Sequence, residues 1–394
     1  MNALSLAFQP EPHEAGYSRQ RAWVEVDTEA IARNAATLAA GLAPGCQLMA
    51  VVKADGYGHG AVPVARAALA GGASSFGVAT LAEGVQLRRA GITAPVLVLG
   101  NLIHPDELRS CLRWQLMPTL SGMREALLCQ NLAATAGRPI GVHLKLDTGM
   151  TRLGIDWQEG PRLVAAIAEL ADVQLLGVYS HLANADALPA DDGGITPCQV
   201  QRFETVLASL QQQQLEPGCR HLANSAATLR GPNFHYDMVR VGLALYGHSP
   251  AGHLAASAAL EPAMQLRARV SLIRAVEAGI GVSYGHRFRT SRPSRLAVVS
   301  IGYADGVPRQ LSGQITVLHQ GRHLPQVGAI TMDQLVVDAT DAPDLDVGEV
   351  VTLLGQDGDQ LITPADWSQR AQTIPWEILC GFKHRLPRLP LGAH

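Results

Sequence analysis

The segment LMAVVKADGYGHG, residues 48–60, joins an apolar run to a lysine, a tyrosine, a histidine and three closely spaced glycines. Lys53 stands where the apolar run stops. Crowding an amine at a strand end favours its neutral form, and a neutral amine condenses with an aldehyde to give a Schiff base. The glycines let backbone come close to a bulky ligand. Similar residue types recur beyond other apolar runs. Lys145 ends VHLK, and Asp147 and Arg152 follow in LKLDTGMTRLG. His181 follows LLGVYS, His221, Asn224 and Ser225 lie in RHLANSAA, and Arg240 lies in MVRVGLALYG. Taken singly, such a histidine is more often a packed, hydrogen-bonded side chain. A single arginine is more often a salt-bridge partner, and a single lysine simply leaves the sheet for water. Together they offer an amine for covalent chemistry, arginines for anions, and hydroxyl and backbone donors for a phosphate. HExxH, DxDxDG and GxxxxGK[ST] do not occur, so metal and nucleotide chemistry lack their usual sequence support.

These residues need a scaffold that brings separate apolar runs to one edge. Eight short runs, at 48–53, 75–79, 95–99, 115–119, 141–146, 174–180, 219–224 and 237–242, alternate with helical patterns such as AVPVARAALA, TLAEGVQLRRA and PRLVAAIAELA. Continuous apolar strands between helices indicate a parallel sheet covered by helices. Eight such units predict a TIM-like (β/α)8 barrel over residues 21–260, with an open doubly wound sheet as the alternative. The barrel reading includes a strand at RAWVEVD (21–27). A helix follows, capped by Asp27 or Thr28, with Ile31, Ala35 and Leu38 on one stripe. Barrel enzymes gather their reactive groups at the C-terminal ends of the strands, which puts the residues above on one rim. From residue 261 to 394 the pattern changes. AMQLRARVSLIRAVEAG, RLAVVSIG, QITVLHQG, QLVVDAT and EVVTLLG read as strands of a mostly β domain, with PADWSQRA as a helical insert. Residues 1–20 read as a flexible leader without the charged start and apolar core of a secretory signal.

Composition narrows the function class. The chain has 394 residues, of which 47% are hydrophobic, enough for a sizeable core. A formal net charge of -3 gives no electrostatic case for nucleic acid or an anionic membrane. No apolar run approaches the roughly 20 residues of a membrane span. The six cysteines are scattered with no CxxC pair, which fits a reducing cytoplasm and argues against structural zinc.

Nine segments taken in order are more specific than any one of them. VVKADGYGHG, LKLDTGMTRLG, YSHLANAD, HLANSAA, MVRVGLALYG, GVSYGHRF, IGYADG, GAITMDQ and WEILCGF together make the chain resemble the alanine racemases from about Arg21 to Arg385. The resemblance implies a pyridoxal 5'-phosphate enzyme, a homodimer whose active site is shared between subunits, and a cytoplasmic supply of D-alanine for peptidoglycan. It implies Lys53 as the residue that carries the cofactor and as one proton carrier. Tyr284, reaching in from the partner subunit, is the other. Arg240 is implied to face the pyridine nitrogen, and His181 and His221 to surround the ring. Asn224 is implied to be a further cofactor contact. Tyr57, Ser225, Gly242 and Leu243 match phosphate contacts. Arg152 and the partner's Met332 match contacts of the substrate carboxylate. Lys145 matches a lysine often carbamylated that orients Arg152, and Tyr303 an entrance tyrosine.

Three positions depart from the family pattern. Trp376 replaces a tyrosine that reaches the phosphate and lines the entrance, Thr331 a cysteine, and Thr151 a glycine. They leave the substrate range open. A broader amino-acid racemase, a decarboxylase on the same scaffold, a non-catalytic carrier of the cofactor and a cofactor-free Schiff-base lyase are the alternatives. The tyrosine of GVSYGHRF and the presence of the whole β domain favour racemisation.

Overall fold

The structure, a computed structural model, describes residues 21–391; the expected leader lies outside them. The chain divides into two compact units, one of them Thr28–Ala263. Its eight parallel strands are β2 (Gln47–Val51), β3 (Ser75–Val78), β4 (Val96–Asn101), β5 (Met117–Leu120), β6 (Ile140–Asp147), β8 (Val173–Tyr179), β9 (Cys219–His221) and β10 (Met238–Val241). A short β7 (Ile155–Asp156) pairs beside β6. The ladder runs β10-β2-β3-β4-β5-β6-β8-β9. Backbone bonds from Asp237 to Arg220 and from Arg240 to Ala223 nearly close it. The predicted eight-strand barrel is therefore present, and each predicted run carries one strand.

Inside the barrel, Met49, Leu97, Tyr179 and Met238 form a buried cluster. A methyl group on Gly77 would stand 3.1 Å from Leu99 and 3.3 Å from Met49 Sδ, so this position accepts only glycine without repacking. The predicted helix over 28–40 is present and buries Ile31, Ala35 and Leu38.

The sequence reading placed the strand at 21–27 in the barrel, and the structure corrects this. β1 (Ala22–Val26) pairs antiparallel with β11 (Met264–Val276) and parallel with Arg388–Pro390, in the other unit. Its own pattern gives the reason. The polar Glu25 interrupts an apolar run, as in a sheet wetted on one face, whereas β2 past its first residue is apolar throughout.

The second unit is mostly sheet. β11, Ser294–Val299, Leu335–Asp338, Arg322–Val327, Thr316–His319 and Val350–Asp357 pair in that order, and the last returns to pair with β11. These six strands form a closed ring. Arg322–Val327 was not read as a strand, because its charged, histidine- and proline-bearing sequence lacks the apolar alternation. The predicted PADWSQRA helix is present as Pro364–Arg370, capped by Thr363.

Candidate active site

Lys53 follows β2 by two residues and opens an unusual turn. Ala54, Asp55, Gly56 and Tyr57 all have φ between 52° and 61°, in the left-handed region. For the three non-glycine residues this costs about 1–2 kcal/mol each. The surroundings hold it. Asp55 Oδ1 accepts from Ala61 N at 2.9 Å, and Glu83 Oε1 accepts from Ala54 N at 2.7 Å. Strain of this kind persists where a side chain must be aimed. Here it aims Tyr57, whose ring packs against that of Tyr246 with centroids 4.8 Å apart and planes tilted by 31°.

Tyr57 leads to a cradle of donors. Gly242 N donates to Ser225 Oγ at 3.0 Å, and Ala244 N lies 3.4 Å from the same oxygen. A Cβ on Gly242 would stand 2.4 Å from Tyr57 Oη, so glycine is what allows the phenol, the hydroxyl and the backbone N–H to converge. Leu243 begins the short 3-10 turn after Gly242. Asn224 caps the following helix by accepting from Ala227 N at 3.0 Å. Hydroxyls and backbone N–H groups are the donor set a phosphate requires. The chemistry of the cradle therefore fits the phosphate of the implied cofactor.

Arg240, on β10, is buried and directs its guanidinium across the barrel mouth. One amino group donates to His221 Nδ1 at 3.2 Å. The other reaches Ser180 O at 2.7 Å, Leu222 O at 3.1 Å and His181 Nδ1 at 3.2 Å. Arginine only donates, so both Nδ1 atoms accept. Neutral His221 then carries its proton on Nε2 and donates to His143 Nδ1 at 2.9 Å. Burial first, and then neighbouring groups that repel an added proton, Arg240 beside His181 and His143 and Arg240 beside His221, hold both well below the usual histidine range. His143 is pushed down to about 4 by burial and by Arg240. Burial also lowers Arg240 to about 10, which leaves it charged at neutral pH. The result is one fixed cation oriented by neutral imidazoles.

Lys145, on β6, lies 5.3 Å from the ring centre of Tyr179 and is buried. Burial, then Arg240 and Arg152, lower its amine to about 7. Arg152 is exposed at its segment but acts electrostatically on Lys145, Tyr179 and His181. Thr151, beside it, has φ 53°, where a β-branched residue is strained. The family glycine at this position would have no such cost.

Lys53, Tyr57, Lys145, Arg152, His181, His221, Asn224, Ser225, Arg240, Gly242 and Leu243 all lie in the barrel unit; Arg240 meets His181 and His221, Ser225 meets Gly242, and Lys53 and Arg152 act electrostatically on Lys145 and His181. Tyr284, Tyr303, Met332 and Trp376 belong to the other unit. Tyr284 lies between the paired strands Gly281–Val282 and Phe288–Arg289 and is 71% exposed. Its turn is bent by Ser283 (φ 60°), Gly285 (φ 73°) and His286 (φ 43°). Ser283 Oγ ties it to Ala329 O at 2.7 Å. Tyr303 N donates to Thr331 O at 2.9 Å, and Ala304 N to Met332 O at 3.0 Å, so IGYADG and AITMD form one packed pair of loops. Thr331 Oγ1 donates to Gln334 O at 2.8 Å, a turn-holding job that a cysteine performs weakly. Trp376 is half-buried on the helix Pro375–Gly381.

Sequence reading missed His143, Tyr179 and Thr119. Tyr179 stacks on His221 at 4.6 Å with ring planes 10° apart, and its hydroxyl pairs with Thr119 Oγ1 at 2.8 Å. A signal for His143 existed. His143 and Lys145 are two residues apart on a strand whose other residues before Asp147 are apolar or glycine, so both side chains point to the same face of the sheet.

Comparisons with known proteins identify the family. Residues 26–250 match the alanine racemase N-terminal domain and residues 263–390 the alanine racemase C-terminal domain. The chain is 56% identical over 372 residues to an alanine racemase of Prochlorococcus marinus, covering 94% of this chain and 96% of that protein. It is 52% identical over 372 residues to one of Nostoc, with the same coverage of both chains. The crystal structure of alanine racemase from Streptomyces lavendulae superposes with a TM-score of 0.88 at 40% identity, covering 95% of this chain and 98% of that one. That of Bacillus anthracis with bound L-Ala-P gives 0.87 at 34% identity, covering 97% of each chain. With both domains matched in order and identity well above the level at which folds merely coincide, the chain belongs to the alanine racemase family.

Proposed function

We propose that the protein interconverts L-alanine and D-alanine with pyridoxal 5'-phosphate, as a cytoplasmic homodimer that supplies D-alanine for peptidoglycan. The observation that carries the reading is the buried Arg240, held by two neutral histidines beside a donor cradle made of Tyr57, Ser225 and Gly242. Pyridoxal phosphate, when bound, supplies an electron sink that lets a substrate α-carbon lose its proton. Lys53 would hold the cofactor covalently, and the cradle would hold its phosphate. Arg240 donates hydrogen bonds and cannot take up a further proton, so a ring nitrogen facing it stays an acceptor and stays neutral. Such a sink is a moderate one, which disfavours side reactions that need a long-lived carbanion. The result that would count against this is a protonated ring nitrogen in 15N NMR of the holoenzyme.

Inversion of the α-carbon needs proton carriers on opposite faces, each within about 3 Å of the proton it moves. Lys53 Nζ takes one face. The phenol of Tyr284 from the partner subunit takes the other, and its exposure in the single chain is what service to a neighbouring site requires. Arg152 and the partner's Met332 backbone would hold the substrate carboxylate. A Lys145 amine lowered to about 7 is half neutral at that pH, as reaction with carbon dioxide requires. A carbamate there would turn a repelling neighbour of Arg152 into a partner.

The experiment uses K53A and Y284F. K53A loses the covalently bound cofactor and its absorbance. Y284F keeps both and loses racemisation. Mixing the two after subunit exchange restores activity, because each mixed dimer contains one site with both residues intact. Full racemisation by Y284F, or no recovery on mixing despite proven exchange, would overturn the two-base, shared-site reading.

A further inference from the structure

Two rim segments carry the groups that would meet the substrate carboxylate and the ring. One follows β6 and contains Arg152. The other follows β8 and contains His181. Neither is regular structure, and backbone of this kind is held in place only by what its polar groups find. Both find the same side chain. Gln199, in the first turns of the helix Ile195–Gln212, is 1% exposed. Its amide nitrogen donates to His181 O at 3.0 Å and to Thr148 Oγ1 at 3.2 Å. Its amide oxygen accepts from Ala183 N at 2.8 Å.

The surrounding bonds make this a junction. Thr148 Oγ1 also lies 2.8 Å from Ser180 Oγ, which donates to Leu146 O at 2.8 Å. Since Ser180 uses its proton on Leu146, Thr148 donates to Ser180 and accepts from Gln199. One helical turn on, Arg202 donates to Thr148 O at 2.9 Å. A Cβ on Gly149 would lie 3.2 Å from Arg202 and 3.3 Å from Gln199 Cγ, so the segment leading to Arg152 is pressed against this helix face. The helix is anchored in turn. Asp192 accepts from Thr196 N and Thr196 Oγ1, both at 2.9 Å, and from Asn184 Nδ2 at 3.1 Å.

We propose that Gln199, acting through Thr148, is a positioning residue that fixes the Arg152 segment relative to the His181 segment, so that the carboxylate site is formed before substrate arrives. The inference rests on Arg152 as the partner of the substrate carboxylate. An amide is the group required, because the junction needs two donated bonds and one accepted bond from a single planar head. Leucine offers none. A glutamate offers acceptors only, until it is protonated.

The test compares wild type, Q199L and Q199E as holoenzymes. Three quantities are measured: cofactor absorbance, KM and kcat for alanine, and the Kd of propionate, which has the substrate's carboxylate without its amine. Without the junction, only a fraction of molecules present Arg152 correctly, and apparent affinity falls by that fraction. For Q199L we expect KM and the propionate Kd both to rise by roughly tenfold, with cofactor absorbance unchanged and kcat affected less. For Q199E the loss is largest at alkaline pH. It shrinks as the pH falls, because the protonated acid regains one donor, whereas a purely structural role predicts no such pH dependence. If Q199L does not fold, Q199E alone decides. Unchanged KM and propionate Kd with only a lowered melting temperature would overturn the proposal, as would loss of cofactor with unchanged affinity for propionate. A wild-type protein that racemises alanine without binding propionate would instead overturn the role of Arg152.

Discussion

Replacing His143 by leucine tests whether the neutral histidine chain is a directed one. His221 Nε2 donates to His143 Nδ1 at 2.9 Å because Arg240 occupies its other nitrogen. Leucine fills much of the imidazole volume but accepts nothing. The His221 N–H is then left buried without an acceptor, at a cost of about 1–3 kcal/mol. The only escape is for His221 to move its proton to Nδ1, which sets two donors against each other at the 3.2 Å contact with Arg240. Asparagine is the control. Its Oδ1 falls close to the position of Nδ1 and accepts the same bond.

H143N is therefore expected to be more stable than H143L by about 1–3 kcal/mol in urea denaturation, although asparagine is the less apolar choice for a buried site. Imidazole 15N NMR should find His221 protonated on Nε2 in wild type and in H143N. Turnover should fall further in H143L, since Arg240 loses a fixed acceptor. Equal urea midpoints for the two variants, with the His221 tautomer unchanged in both, would refute the directed chain. A volume effect alone predicts the opposite order, because leucine packs better than asparagine in an apolar surround.

The same imidazoles set the acid limit. His143, His181 and His221 have folded-state values below their unfolded one, so they add no penalty above about pH 6.5, and stability falls as pH drops from there toward 4. Proton uptake on unfolding at pH 5.5, above most carboxylate titration, should be positive and should fall in H143N; no uptake there would contradict the neutral-histidine reading. T151G removes a β-branched residue from φ 53°, a relief of about 1–2 kcal/mol, against about 0.5–1 kcal/mol of extra unfolded-state entropy. A small rise in urea midpoint is expected, and a clear fall would show that Thr151 makes a compensating contact. In 13C-bicarbonate, wild type should show a slowly exchanging carbamate carbon in 13C NMR that K145M lacks; identical spectra would leave Lys145 as a plain amine.

The barrel was legible because its strands are buried on both faces, so each appears as an unbroken apolar run between helices. The polar rim was legible for a related reason. Lys53, Lys145, His181 and Arg240 interrupt or end apolar runs, where a charged side chain needs an explanation. What could not be read lies across the sequence. The His221–His143 bond joins residues 78 positions apart, and the Gln199–Thr148 bond residues 51 apart. Nothing local marks either partner, since a glutamine on an amphipathic helix looks like any solvated polar position. The misplacement of β1 is a mixed case, since Glu25 marked a sheet wetted on one face but did not say which sheet. Its alternation was visible, but its partner is chosen by β11, more than two hundred residues later.

The rim's charge pattern ties these pieces together. Lys145 is depressed first by burial and then by Arg240, Arg152 and Lys53, and is raised by the carboxylate of Asp147. That carboxylate is held within its own loop, its Oδ1 accepting from Gly149 N and Thr151 N at 2.9 and 3.0 Å. Clustering cations around a buried mouth opposes folding unless anions offset them. The protein has kept the opposition small in the two ways open to it. Its histidines stay neutral beside Arg240, and the Lys145 amine sheds its proton near pH 7. In the proposed function the electrostatics of the site are completed from outside, by a phosphate at the Tyr57–Ser225–Gly242 cradle and a carboxylate at Arg152. A cluster built for stability alone would have been neutralised by aspartate or replaced by apolar side chains. Keeping the cationic groups Arg240, Arg152 and Lys145 near one another in a well-packed barrel is what the proposed anionic ligands require.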